Sequence, residues 1–84
     1  MAYQVRLKKQ AIKTLEKINE PNYSAIKSAI LALAAEPRPA GYKKLRGRDA
    51  FRIRAGDYRI IYDIHDKILT VEVIDVGHRK EIYK

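Results

Sequence analysis

"FRIRAGDYRIIYDI" occupies residues 51–64. Apolar and polar side chains alternate on both sides of Gly56-Asp57, the pattern of two half-buried strands joined by a two-residue loop. With that loop, Ala55 faces Tyr58, Arg54 faces Arg59, Ile53 faces Ile60 and Phe51 faces Tyr62. One face then gathers Phe51, Ile53, Tyr58, Ile60 and Tyr62. The other carries Arg52, Arg54 and Arg59. A slip of one residue would turn the apolar set to the wrong face, so the pattern holds the register strongly.

Reading outward, Asp66-Lys67 is a second and weaker turn signal. As a two-residue loop it sets Ile64 against Leu69, Tyr62 against Val71 and Ile60 against Val73. Those residues join the same apolar layer. The reading predicts strands over 50–55, 58–65 and 68–76, with Gly77 ending the last. Asp63, Ile61, Thr70, Glu72 and Ile74 fall on the arginine side. Upstream, "EPRPAGYKKLRG" (residues 36–47) reads as a loop with a short strand at Tyr42–Leu45.

The N-terminal third changes period. "AYQVRL" (residues 2–7) places Tyr3, Val5 and Leu7 on one face of a first strand. Over 8–19, Ala11, Ile12, Leu15 and Ile18 recur at helical spacing, with Lys9, Lys13, Glu16 and Lys17 turned to water. Pro21-Asn22 suits a new helix start. A second helix over 23–36 carries Ile26, Ile30 and Leu33 and stops at Pro37 and Pro39. The short link makes the two helices an antiparallel hairpin that should cover the apolar layer. The expected class is α+β: an N-terminal strand, a helical hairpin, then a three-stranded antiparallel meander, in one mainly antiparallel sheet. Residues 1–84 form a single domain, given the length.

Composition excludes several kinds of chemistry. The chain has no cysteine, hence no thiolate nucleophile, disulfide or thiolate metal site. Two histidines, His65 and His78, are too few for a convincing zinc site, and no metal or other cofactor is expected. No Gly-rich phosphate loop or Ser-His-Asp order appears. Apolar runs fall short of the roughly 18 residues of a membrane span. "MAYQVRLKK" lacks the order of a secretory signal. A cytoplasmic location and no membrane partner are expected.

The net charge is +8, and it is focused. Residues 37–59 hold eight cations (Arg38, Lys43, Lys44, Arg46, Arg48, Arg52, Arg54, Arg59) against Asp49 and Asp57, a local charge of +6. Such a patch points to a polyanion, most often nucleic acid. Arg54 opposite Arg59 is unfavourable in a sheet by a few tenths to about 1 kcal/mol. Either Glu72 or Asp75 neutralises the arginines, or they await phosphates, which the guanidinium fork fits well. The third strand returns to the Gly56-Asp57 turn, so His78, Arg79 and Lys80 should emerge beside Arg54 and Arg59. A guanidinium cluster can stabilise a pentacovalent phosphorus during RNA cleavage by the 2′-hydroxyl. That reaction needs a proton acceptor, a proton donor and a held geometry. Tyr83 is the candidate for stacking on a base, and His78 can titrate near neutrality. Asp63 and Glu72 look like charge-neutralising neighbours, and His65 like a surface or turn residue.

"YKKLRG", "FRIRAGDYRIIYDI" and "VIDVGHRKEIY" together resemble the RelE branch of the RelE/ParE toxin superfamily, in order and spacing along essentially the whole chain. The resemblance implies a toxin of a type II toxin-antitoxin system that enters the ribosomal A site and cuts the bound mRNA. It implies a RelB-like antitoxin that wraps and neutralises the toxin, and a toxin-antitoxin complex that binds operator DNA. Its partners would be the 70S ribosome and mRNA. Arg52 and Arg54 match the basic strand positions that contact mRNA phosphates. Arg59 matches the arginine that stabilises the transition state, and Arg79 a second arginine near the scissile phosphate. Tyr83 matches a C-terminal tyrosine that stacks on or orients the nucleotide. Lys43, Lys44, Arg46, Arg48, His78 and Lys80 would bind RNA. The best-known pattern has lysines where this chain has Arg52 and Arg54, and gives one of them the role of base. Arginine stays protonated near neutral pH, so the base is unassigned, with His78 and Tyr83 as candidates. The gap from Arg79 to Tyr83 is also shorter than in that pattern. The alternative within the superfamily is a ParE-type inhibitor of DNA gyrase without RNase activity. Outside it stands a basic nucleic-acid-binding module without toxicity.

Overall fold

A computed structural model describes residues 2–78. Its strands are β1 (Gln4–Leu7), β2 (Lys43–Lys44), β3 (Phe51–Ala55), β4 (Tyr58–His65) and β5 (Thr70–His78). Two helices, α1 (Lys9–Glu16) and α2 (Asn22–Ala32), lie between β1 and β2 in the chain. The sheet order is β1-β5-β4-β3-β2, antiparallel except for β1, which runs parallel to β5. The α+β class and the single helix-covered sheet are as expected.

The central hairpin has the register that its alternation demands. Phe51 pairs with Tyr62, Ile53 with Ile60, Arg54 with Arg59 and Ala55 with Tyr58. Gly56 has φ +62° whereas Asp57 stays at negative φ, the signature of a type II′ turn with glycine first. Ile53, Ile60, Tyr62, Val71, Val73 and Val76 point toward the helices. There they meet Ala11 of α1, Ile26 and Ile30 of α2, and Leu33. Both helices are shorter than their periodicity suggested. After Ala32 the chain tightens into i→i−3 bonds from Leu33, Ala34 and Ala35, unwinding ahead of Pro37.

The β4–β5 connection differs from expectation. Asp66-Lys67 is not a two-residue loop. Asp66–Ile68 form a 3₁₀ turn, and Leu69 takes a left-handed conformation at φ 48°. The longer connection moves the register by two residues near the turn: Ile64 pairs with Val71 and Tyr62 with Val73. An even shift keeps the same faces, so the apolar layer survives. A bulge between Ile61 and Tyr62 then adds one more residue, so that Ile60 pairs with Val76. β5 continues through Gly77 to His78 instead of ending at Gly77.

Two polar anchors fasten the loop between α2 and β2. The Tyr62 hydroxyl, buried under the helices, donates to the Pro37 carbonyl at 2.7 Å. Burial pushes the phenol up to about 12, with the nearby Tyr42 adding to it. Tyr62→Phe removes the donor and leaves a buried carbonyl. We expect a loss of about 1–2 kcal/mol, read as a fall in Tm of roughly 4–8 °C per kcal/mol in a domain of this size.

The second anchor is Asp66. Arg38 donates to its two carboxylate oxygens at 3.3 and 2.9 Å, and the Tyr3 hydroxyl donates at 2.5 Å. The Arg38 hydrogen bonds, followed by that from Tyr3, hold the Asp66 carboxyl below its usual range. A depressed folded-state pKa stabilises above the unfolded value, about 3.9, and the contribution fades as pH falls through the folded value. Asp66→Asn should therefore be less stable than wild type at pH 7. The two melting curves should converge as pH drops below about 4.

Candidate functional site

The face of the sheet away from the helices is organised in rows, because paired residues project to the same side. Lys43, Arg52, Ile61 and Asp75 form one row across β2, β3, β4 and β5. Arg54, Arg59 and Gly77 form the next. Asp63, Glu72 and Arg6 form a third row on the far side of the first. A basic region thus occupies the end of the face near the Gly56-Asp57 turn, and an acidic one the other end.

The arginines differ in environment. Arg54 is exposed, whereas Arg52 and Arg59 are each only 7% exposed. Arg59 points away from the helix-covered core, as its register requires, but it does not splay into water. Buried guanidinium groups are held in place and bring a strong field into a region of low dielectric. Lys43, Arg52 and Arg54 also rim a groove of about 450 Å³ at the outer edge of β3, against Ala29 and Ala32 of α2.

Other expected residues are dispersed. Lys43 stands on the arginine face, but Lys44 pairs with Phe51 and projects to the other side. Lys44 lies 3.9 Å from Asp49, an exposed pair of the kind that contributes little. Arg46 and Arg48 are exposed in the loop before β3. His78 pairs with Tyr58, and their rings meet edge-on at 5.5 Å between centroids. Tyr58 packs against the core, so the His78 ring is on the helix side of the sheet, not beside Arg59. Asp63 and Glu72 do not neutralise the arginines. Their carboxylates sit 3.6 and 3.8 Å from Nε2 of His65. Arg79, Lys80 and Tyr83 lie outside the described residues. Among the described residues no cluster of three or more His, Asp or Glu side chains is arranged to hold a metal, and no helix is long and apolar enough to cross a membrane.

Sequence reasoning missed the way Asp75 reaches the arginine row. Strict alternation from Val73 would turn Asp75 toward the helices. The bulge prevents it, and bulges of this kind often re-aim a side chain next to a functional site. No local turn residue marks the bulge. Its one sequence signal is the three-residue spacing of two core valines, Val73 and Val76.

Two helices on one face of a mostly antiparallel five-stranded sheet is an arrangement shared with known proteins. Residues 5–83 match the family described as ParE toxin of type II toxin-antitoxin system, parDE. Toxin RelG of Mycobacterium tuberculosis is 37% identical over an 87-residue alignment covering 100% of this chain and 99% of the relative. The mRNA interferase toxin RelE of Escherichia coli K12 is 32% identical, covering 99% and 92%. Among solved structures, the archaeal RelE-RelB complex from Pyrococcus horikoshii OT3 superposes with a TM-score of 0.84 at 30% identity, covering 96% of this chain and 99% of that one. The toxin-antitoxin complex RelBE2 of Mycobacterium tuberculosis gives 0.83 at 32% identity, covering 94% and 100%. The chain belongs to this family of type II toxin-antitoxin toxins.

Proposed function

We propose that this toxin is a ribosome-dependent endoribonuclease that cuts mRNA in the ribosomal A site and so stops translation. One observation carries the reading: Lys43, Arg52, Arg54 and Arg59 project from a single sheet face in adjacent rows. Two of the three arginines are buried, which holds their guanidinium forks in place on that face. The relative from Escherichia coli that is named an mRNA interferase supports it.

The chemistry follows from the substrate. RNA carries its own nucleophile, the 2′-hydroxyl, so the protein needs to align it with the phosphorus, accept its proton and stabilise the charge that develops. A metal is not required for this step. Arg52 and Arg54 hold the flanking phosphates, and Arg59 stabilises the pentacovalent transition state. By the family resemblance, Arg79 assists near the scissile phosphate and Tyr83 stacks on the nucleotide. Lys43, Lys44, Arg46, Arg48 and Lys80 supply longer-range attraction to ribosomal RNA.

The neutralising partner is a RelB-like antitoxin, and operator DNA is bound only through that complex. Ile12 and Leu31, 44% and 59% exposed over the helical hairpin, offer apolar surface for such a partner to cover. The family's ParE description keeps a second reading in view, inhibition of DNA gyrase without RNA cleavage.

Primer extension on end-labelled mRNA separates the two readings, using purified toxin, programmed ribosomes and a ribosome-free control. A cut within the A-site codon, seen only with ribosomes, is the expected result. Intact mRNA, together with blocked gyrase supercoiling by the same folded protein, would replace the nuclease reading with the second.

A further inference from the structure

The arginine face can hold a phosphate, but none of its guanidinium groups accepts a proton near neutral pH. Cleavage through the 2′-hydroxyl needs an acceptor. The β5 bulge brings one. Val73 and Val76 both point into the core, at 0% and 2% exposure, although three residues apart. The extra residue leaves Ile74 and Asp75 together opposite Ile61. Asp75 therefore stands in the row of Lys43 and Arg52. It is one diagonal step from Arg59, a separation of about 7–8 Å between Cα atoms. Gly77, which pairs with Arg59 directly, brings no side chain between them.

The carboxylate is also oriented. Asp75 is half-buried, and its Oδ1 accepts the Val76 N–H at 2.9 Å. That bond restrains the carboxyl group through Oδ1 and leaves Oδ2 as the second acceptor. The other acidic groups are placed less well. Asp63 and Glu72 lie a row farther from Arg59 and against His65. Asp49 is 96% exposed in its loop, and Asp57 is in the hairpin turn.

We infer that Asp75 is a catalytic base of this toxin, an inference that rests on the nuclease reading. Oδ2 takes the proton of the 2′-hydroxyl on the nucleotide 5′ to the scissile phosphate as O2′ bonds to phosphorus. The P–O5′ bond breaks, and the departing 5′-oxygen takes a proton from water. The products are a 2′,3′-cyclic phosphate and a 5′-hydroxyl. Arg59 and Arg54 hold the phosphate while Asp75 works one step along β5.

The test is single-turnover cleavage on programmed ribosomes with the full-length toxin. Asp75→Asn keeps the volume and the oxygen that accepts the Val76 N–H, but removes the basicity. Its rate should fall about 100-fold or more, with the half-saturating toxin concentration within about three-fold of wild type. Asp75→Glu should retain more rate than Asp75→Asn. Added formate should restore part of the rate of Asp75→Ala and none of that of Arg59→Ala. If Asp75→Asn cuts within about three-fold of wild type, or faster, Asp75 only screens the arginines and the inference fails. A large loss in Asp75→Ala that formate does not relieve would also overturn the assignment. If wild-type toxin leaves the mRNA intact in the same gel, the nuclease reading falls and takes the inference with it.

Discussion

Arg59→Ala is expected to lower the rate of mRNA cleavage on the ribosome by roughly 10²–10³-fold, the usual effect of removing one preorganised donor to a developing oxyanion. The position is the reason for expecting so large an effect from a single side chain. Arg59 sits on the central strand β4, between Arg54 on β3 and Gly77 on β5, and is only 7% exposed. A guanidinium held there does not reorganise when the phosphorus gains charge, and it acts where water screens poorly. Exposed Arg54 should matter less, because solvent and salt weaken its field. The burial of Arg59 also has a structural side, since its aliphatic stem covers apolar surface. The variant should therefore melt somewhat below wild type while keeping its circular dichroism spectrum and its affinity for antitoxin. Arg59→Lys keeps one positive charge without the planar fork, and should recover only part of the rate. Full activity in Arg59→Ala would remove the transition-state role. A disordered spectrum would show that Arg59 serves the fold instead.

The β3–β4 hairpin was readable residue by residue because three signals agreed: period-two alternation, a Gly-Asp loop and a single apolar face. The β4–β5 register was not, for two physical reasons. Leucine is an uncommon residue in the left-handed conformation, so Leu69 gave no sign that the connection was four residues long. The bulge at Ile74-Asp75 likewise lacks the glycine that would flag one. Both deviations were tolerated by the apolar pattern, since the first shifts the register by an even number and the second is followed by Val76, which restores the core face. The site was legible to the same degree. Arg52, Arg54 and Arg59 fall together because they belong to the hairpin. His78 was misplaced because β5 was expected to stop at Gly77. One more paired residue carries its ring to the helix side against Tyr58. Asp75 reaches the arginine face only through the bulge.

The residue next to Arg59 should give the opposite phenotype. Ile60 is 0% exposed and faces the helices, packed in the core with Ile53, Tyr62 and Val76. Ile60→Ala removes three buried carbons from the middle strand, where neighbours on both sides are hydrogen-bonded in place and cannot collapse into the space. The expected loss is about 2–5 kcal/mol, the transfer energy of the lost atoms plus the cavity they leave. A domain of this size has a total stability of only about 5–15 kcal/mol at best. The variant should therefore lose on the order of 10–30 °C in Tm. Its cleavage should fail in proportion to the unfolded fraction, and bound antitoxin should recover the folded state by mass action. At a temperature low enough to keep it folded, its rate per folded molecule should match wild type, because every side chain on the arginine face is still present. Thermal melts and cleavage assays run in parallel on Arg59→Ala and Ile60→Ala check the division. Two adjacent residues, one losing chemistry and the other losing stability, is the result that a sheet with separate core and functional faces requires. A folded Ile60→Ala that cleaves as poorly as Arg59→Ala would mean that the two faces are not independent.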